Sequence, residues 1–207
     1  MDEISGGRLI LGIGAGWNRD EFDAFGFPFD RRVERFAEAF TMLRRLLDGE
    51  EVTFDGSHHS VRDCVLLPKP VRRPPLMVGS RRPRMLSITL PHVDIQHAWF
   101  ASFGNRPDGI GEMREHVDEA CRSAGRDPAS VARSVALYVQ LPDGRGRNEG
   151  DPSARPVLEP IALDRLTETL AAVEREGVAH VQLVLDPITT SSIEQVGAKL
   201  GTTQPDR

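Results

Sequence analysis

The sequence predicts an α/β protein with a parallel sheet, and three observations carry that expectation. A short apolar run, a turn and an amphipathic segment recur in that order along the chain. The first run, Leu9-Ile-Leu-Gly-Ile13, is apolar at consecutive positions, as suits a strand covered on both faces. Five such units can be counted in 207 residues. A closed barrel of this kind needs eight units and about 250 residues. The first strand arrives with no lead-in. The expectation is either a barrel lacking its first three units or a smaller open sheet.

The elements follow in order. After Ile13 the stretch Asn18–Pro28 reads as a loop, and a helix follows near Asp30–Leu47, with Val33, Phe36, Phe40, Leu43 and Leu47 on one face. Gly49 suits the position after that helix. Residues 51–75 break the rhythm: Val52–Phe54 and Ser60–Arg62 around Asp55-Gly56 read as a hairpin, and four prolines then extend the chain. The second strand is Leu76–Val78, with a helix from Pro83 to about Leu90. The third is Val93–Ile95, with a helix near Gly109–Ala124. A fourth lies in Val131–Leu141, where Val135, Leu137 and Val139 alternate with other residues. Pro142–Pro156 is rich in Gly, Pro and Arg and is expected to be a mobile surface loop. Leu163–Val173 gives the next helix, Val181–Leu185 the fifth strand, and a last helix runs near Ser191–Leu200.

Composition narrows the function classes. With 39% apolar and 28% charged residues the chain is an ordinary globular one. A net charge of −5 argues against non-specific nucleic-acid binding, which needs a basic surface. No apolar run approaches the roughly 20 residues that span a bilayer, and Met1-Asp-Glu-Ile4 lacks the character of a signal peptide. Cys64 and Cys121 make neither a disulfide framework nor a metal cluster. A cytoplasmic location is expected, with no membrane, nucleic-acid or metal partner.

Two loops carry the candidate chemistry. Gly12-Ile-Gly14-Ala-Gly16-Trp17 fails as a dinucleotide fingerprint, because Trp17 stands where the third glycine must be. These glycines serve either a tight turn or the close approach of a flat ring to backbone. Gly79-Ser80-Arg81-Arg82-Pro83 joins a strand end to a helix start. It is either a plain turn with solvated arginines or a phosphate cradle of backbone amides and guanidinium groups. Adjacent His58 and His59 do not converge on one ion, and are expected to pack on the surface or in a loop. His92 and His116 read as helix-end and helix-surface residues. His97 sits at a strand terminus, where barrel active sites lie, and is the one candidate for a catalytic role. Asp94, an acid in an apolar strand, must be buried with a partner or hold a loop. Asp186 before Pro187 reads as a turn former.

Several segments, in order, resemble the luciferase-like monooxygenase superfamily, especially its F420-dependent branch. They are Ser5–Trp17, Glu21–Gly26, the Arg31–Leu47 helix, Phe54–His58, Leu67–Pro70, Pro75–Ser80, Pro83–Leu86 and His92–Asp94. A looser likeness continues through Ala124–Pro128 and His180–Thr190. The resemblance implies a single incomplete (β/α)8 TIM barrel with strands four to eight and their helices, the first three units absent. Residues 51–75 would then be the insertion before strand five. It implies F420, or alternatively FMN, in the barrel mouth, with phosphate near Gly79, Ser80 and Arg81. The ring would lie near Gly14, Gly16 and Trp17, with Asp20 close by and Ile95 and Gln96 facing the cofactor. The sequence departs from the family pattern at Ser80 and at Ile95-Gln96-His97.

The expected activity is hydride transfer or monooxygenation on a small organic substrate, impaired in this chain, with weak cofactor binding or none. The alternatives are a non-catalytic remnant, a partner that completes a barrel with another chain, and a different phosphate-binding α/β enzyme. Exposed first and last strands invite self-association or a homodimer.

Overall fold

The computed structural model describes residues 1–69, 72–146 and 158–201. They fall into two compact units, Met1–Asp94 and Ile95–Arg207, each taken here by itself.

In the first unit, β1 (Leu11–Ile13) pairs in parallel with β4 (Leu76–Val78), Leu11 opposite Leu76 and Ile13 opposite Val78. Between them lie two helices and a hairpin. Asn18–Pro28 is not all loop, because α1 spans Arg19–Ala24. The Asn18 side chain accepts from Asp20 N and its amide reaches Glu21, which caps the turn, and two acids follow at the positive helix end. Helix α2 (Arg32–Leu47) buries Phe36, Phe40, Met42 and Leu47, with Phe36 and Phe40 stacked at 5.5 Å. Gly49, at φ +80°, ends it, donating to Leu46 O while Glu50 N returns to Arg45 O.

The excursion in 51–75 contains the expected hairpin, β2 (Val52–Asp55) antiparallel to β3 (Ser60–Cys64). Its tip is tied to α2, because the Glu38 carboxylate accepts from the amides of Ser57, His58 and His59 at 2.8–2.9 Å. A side chain at Gly56 would meet Glu38 Oε2 and Phe54 Cε1, each at 2.5 Å, and would have to displace the carboxylate that the tip amides hold. Helix α3 (Pro83–Thr89) buries Met85, Leu86 and Thr89.

The third strand lies two residues later than expected. In the second unit, β5 is Ile95–Ala98, so Asp94 precedes the strand rather than sitting inside it. The reason is visible in the first unit. Asp94 is half-buried, and its carboxylate binds Arg73 at 2.9 and 3.0 Å and accepts Leu76 N at 2.8 Å, tying the entry of β4. Both predicted fates, a partner and a held loop, are met by one residue.

Strand β6 (Ala132–Gln140) is the centre of the second unit, parallel to β5, to the two-residue β7 (Ile161–Ala162) and to β8 (His180–Asp186). Alternation in β6 does not mean one wet face, since residues 133–139 are all buried. Helices α4 (Ile110–Ser123), α5 (Leu166–Arg175) and α6 (Thr190–Gly201) complete the unit, and Val135, Leu137, Val139, Met113, Leu166, Val173 and Val196 belong to one core cluster. Strand β7 has too few residues to show a period. Of the predicted loop, 142–146 is described and 147–156 lies outside the described residues. The fold class is α/β with parallel main-sheet ladders, consistent with a partial (β/α)8 barrel.

Candidate functional site

In parallel α/β sheets chemistry gathers at the C-terminal ends of the strands. In the first unit the register of β1 and β4 ends at Ile13 opposite Val78, so Gly14 and Gly79 leave neighbouring strands at the same level. Strands in a ladder are about 4.8 Å apart, which brings the two glycine loops together. A side chain at Gly14 would meet nothing within 4 Å, so its backbone faces open space. Gly16 has φ +75°, and a Cβ there would strike the Phe22 ring at 2.5 Å; it is glycine for both reasons. Phe22 in turn meets Phe29 edge-on at 5.3 Å. Trp17 presents its indole outward, 80% exposed, and Asp20 is exposed on α1.

At the end of β4, Gly79 is exposed and Ser80 half-buried, with Ser80 Oγ accepting from Arg82 N at 3.2 Å. That bond shapes the turn into α3, whose Arg82 is extended and whose first residue is Pro83. Arg81 and Arg82 are exposed, and Arg84 pairs with Glu34 at 3.2 Å. The Arg84 guanidinium is the main reason that Glu34 ionises below the ordinary carboxylate range.

The β5 candidates belong to the second unit and divide between two faces. Registered residues of a parallel ladder point to the same side. Gln96 aligns with Arg133, whose guanidinium reaches Asp118 of α4, so Gln96 lies on the helix-covered face. It is 1% exposed, and its Oε1 has no partner among the described residues. Ile95 and His97 take the opposite face, with Ser134 of β6 and His180 of β8. His97 is within β5, not at its end, and its Nδ1 lies 2.9 Å from Ser134 Oγ. Burial, then the neighbouring His180, hold its imidazole below the usual histidine range.

Further along that face, Asp186 accepts from Tyr138 Oη at 3.0 Å, Gln140 Nε2 at 3.1 Å and Gly146 N at 2.7 Å. Burial opposes its ionisation, but the Gly146 amide and the Gln140 and Tyr138 side chains outweigh it, and its pKa is lowered. The residue holds residues 141–146 against the strand ends, which extends the expected turn-forming role. A cavity of about 600 Å³ opens beyond these ends, lined by Gln140, Gly144, Ala162, Asp164 and Gln195 among others; none of the expected cofactor residues lines it.

His58 packs against Glu34 at 3.6 Å, as a loop-packing histidine should. No cluster of three metal-ligating side chains occurs among the described residues, and no described helix is long and apolar enough to cross a membrane. Sequence reasoning passed over Ser134, His180, Tyr138 and Asn105. For the three strand residues the available signal was the same as for Asp94, a polar residue placed in an apolar strand needing a partner; Asn105 lies in a turn, and its signal was an asparagine beside Gly104.

A phthiodiolone/phenolphthiodiolone dimycocerosates ketoreductase of Mycobacterium sp. (strain JLS) is 31% identical over 140 residues, covering 66% of this chain and 36% of that protein. A 5,10-methylenetetrahydromethanopterin reductase of Archaeoglobus fulgidus is 28% identical over 150 residues, covering 72% of this chain and 43% of that protein. The chain thus spans less than half the length of these curated relatives. A solved F420-dependent secondary alcohol dehydrogenase, in complex with an F420–acetone adduct, matches 99% of this chain and 72% of its own with a TM-score of 0.74. At 18% identity that likeness shows the fold alone. Residues 1–147, more than half of the chain, match the model of the luciferase-like monooxygenase family, and the chain belongs to that family.

Proposed function

We propose that this chain supplies the ring-contact and phosphate-end loops of a deazaflavin site in an F420-dependent oxidoreductase acting on a small organic substrate. The observation that carries the reading is the parallel pairing of β1 with β4. It sets Gly14 beside Gly79, with open space where a Gly14 side chain would stand. The residues fit such a group. A flat ring needs backbone free of side chains and an aromatic surface, which Gly14, Gly16 and the outward Trp17 offer. A phosphate needs N–H donors and positive charge, which the 79–82 loop and its arginines offer. The chemistry that the group supplies when bound is hydride transfer. The chain's own part is to hold and orient: Gly14 and Gly16 permit close approach, Trp17 covers, and Gly79, Ser80 and Arg81 anchor the phosphate end. Asp20 sits at the rim. The related ketoreductase and reductase support a reductive reaction.

Titration of the 15N-labelled chain with F420, and separately with FMN, tests this by amide shifts. F420 is expected to move Gly14, Gly16, Gly79 and Ser80, and Gly79→Asp to abolish the response by placing a negative charge at the phosphate end. Shifts elsewhere, or an unchanged response in Gly79→Asp, would overturn the assignment. A response to FMN alone would replace F420 with FMN.

A further inference from the structure

Three side chains on one level of the second unit form a line. His97, Ser134 and His180 are register partners on β5, β6 and β8, and Ser134 Oγ lies 2.9 Å from Nδ1 of each imidazole. Ser134 is 1% exposed, and both histidines are half-buried. The charged groups on these strands are engaged elsewhere: Arg133 leaves the other face of β6 toward Asp118, and Asp186 is held by Tyr138, Gln140 and Gly146 at the far end of β8.

A hydroxyl has one proton to donate and lone pairs to accept. Ser134 can therefore donate to only one of the two Nδ1 atoms, and the other Nδ1 must carry its own proton and donate to Oγ. Two rings in the same tautomer would leave either two lone pairs facing each other or a hydroxyl proton without an acceptor. The geometry requires opposite tautomers, and the hydroxyl is what couples them.

We propose that His97, Ser134 and His180 are one proton-relay unit, passing a proton between the outer Nε2 atoms of the two imidazoles through the Ser134 hydroxyl. Take the arrangement in which His97 carries its proton on Nδ1. A proton arriving at His97 Nε2 makes the imidazolium. Its Nδ1 proton moves to Ser134 Oγ as the hydroxyl proton moves to His180 Nδ1. His180, now protonated on both nitrogens, releases its Nε2 proton. One proton enters, one leaves, and the tautomers have exchanged. The burial and mutual proximity that depress His97 keep both rings from being charged together. Adding a hydride to a carbonyl also consumes a proton, so the unit is chemically suited to the proposed reaction. Its existence does not depend on which cofactor binds.

Long-range 1H–15N NMR of the chain labelled at its six histidines reads the tautomers directly, without cofactor. The expected result near pH 8 is one Nδ1–H and one Nε2–H ring for His97 and His180. On acidification one ring should protonate before the other. Ser134→Ala should release both rings to the tautomer that free imidazole prefers, and Ser134→Thr, which keeps the hydroxyl, should restore the opposed pair. Identical tautomers in the parent chain would overturn the relay, as would opposed tautomers that persist in Ser134→Ala. The parent spectrum decides even if a variant fails to fold. A failed F420 titration beside opposed tautomers would sink only the cofactor assignment.

Discussion

Asn105 offers the sharpest test of how the second unit is held, because one side chain there does the work of a missing strand. The β5 ladder ends at Ala98 opposite Val135, and β7 begins only at Ile161 opposite Val139. In the gap, Tyr138 donates its N–H to Asn105 Oδ1 at 2.9 Å, while Asn105 Nδ2 donates to the carbonyls of Tyr138 and Glu159, each at 2.9 Å. The residue is 2% exposed, and it sits at φ +57°, a conformation that asparagine tolerates better than most side chains. Removing the carboxamide leaves a buried N–H without an acceptor, which costs about 1–3 kcal/mol, and two carbonyls lose ordinary bonds at about 0.5–1.5 kcal/mol each. Asn105→Gly keeps the backbone relaxed, and should lose about 2–6 kcal/mol. Asn105→Ala adds about 1–2 kcal/mol of left-handed strain. Against a typical domain stability of about 5–15 kcal/mol, either is large. Urea unfolding followed by tyrosine and tryptophan fluorescence reads both. A loss in Asn105→Gly below about 1 kcal/mol, no more than glycine's extra chain entropy, would refute the strand-substitute account.

Two further outcomes follow from carboxylates that gather donors. Asp186 ionises below its ordinary value of 3.8, so it contributes stability that is present above that value and is lost as pH falls through the lower folded one. Asp186→Asn should therefore lower stability at neutral pH and shrink the acid-side loss, in pH-dependent urea midpoints; parallel profiles for the two proteins would contradict this. Glu38 is lowered in the same sense, burial opposing and the amides of His58, Ser57 and His59 prevailing. Glu38→Gln turns one acceptor into a donor facing those amides, so hydrogen exchange at 57–59 should quicken while α2 itself stays protected. Unchanged exchange at the hairpin tip would show that the tie is idle.

The elements that the sequence revealed are those whose signal is local. Consecutive apolar residues in β1 and β4, the one-sided stripe of α2, and the Gly49 stop each depend on neighbours within a turn or two. Their positions are reproduced to within a few residues. The glycine loops were also legible as places where backbone is left bare, and β1–β4 pairing supplied the reason for two of them to matter together. Helix α1 escaped notice because six residues show no full amphipathic period, and its stability lies in the Asn18 cap. The start of β5 was misplaced because Asp94 looks like strand interior until Arg73, from 21 residues earlier, is seen beside it.

By itself, then, the sequence determined the main helices and strands, the parallel class and the positions of the two glycine loops, since these follow from periodicity and from what glycine permits. Only the tertiary structure decided that Gln96 and His97 leave β5 on opposite sides, that Asn105 completes an edge, and that one serine joins two distant histidines. Those facts depend on strand register, and register is set by packing between segments tens of residues apart. A shift of one residue would turn every one of those side chains to the other face.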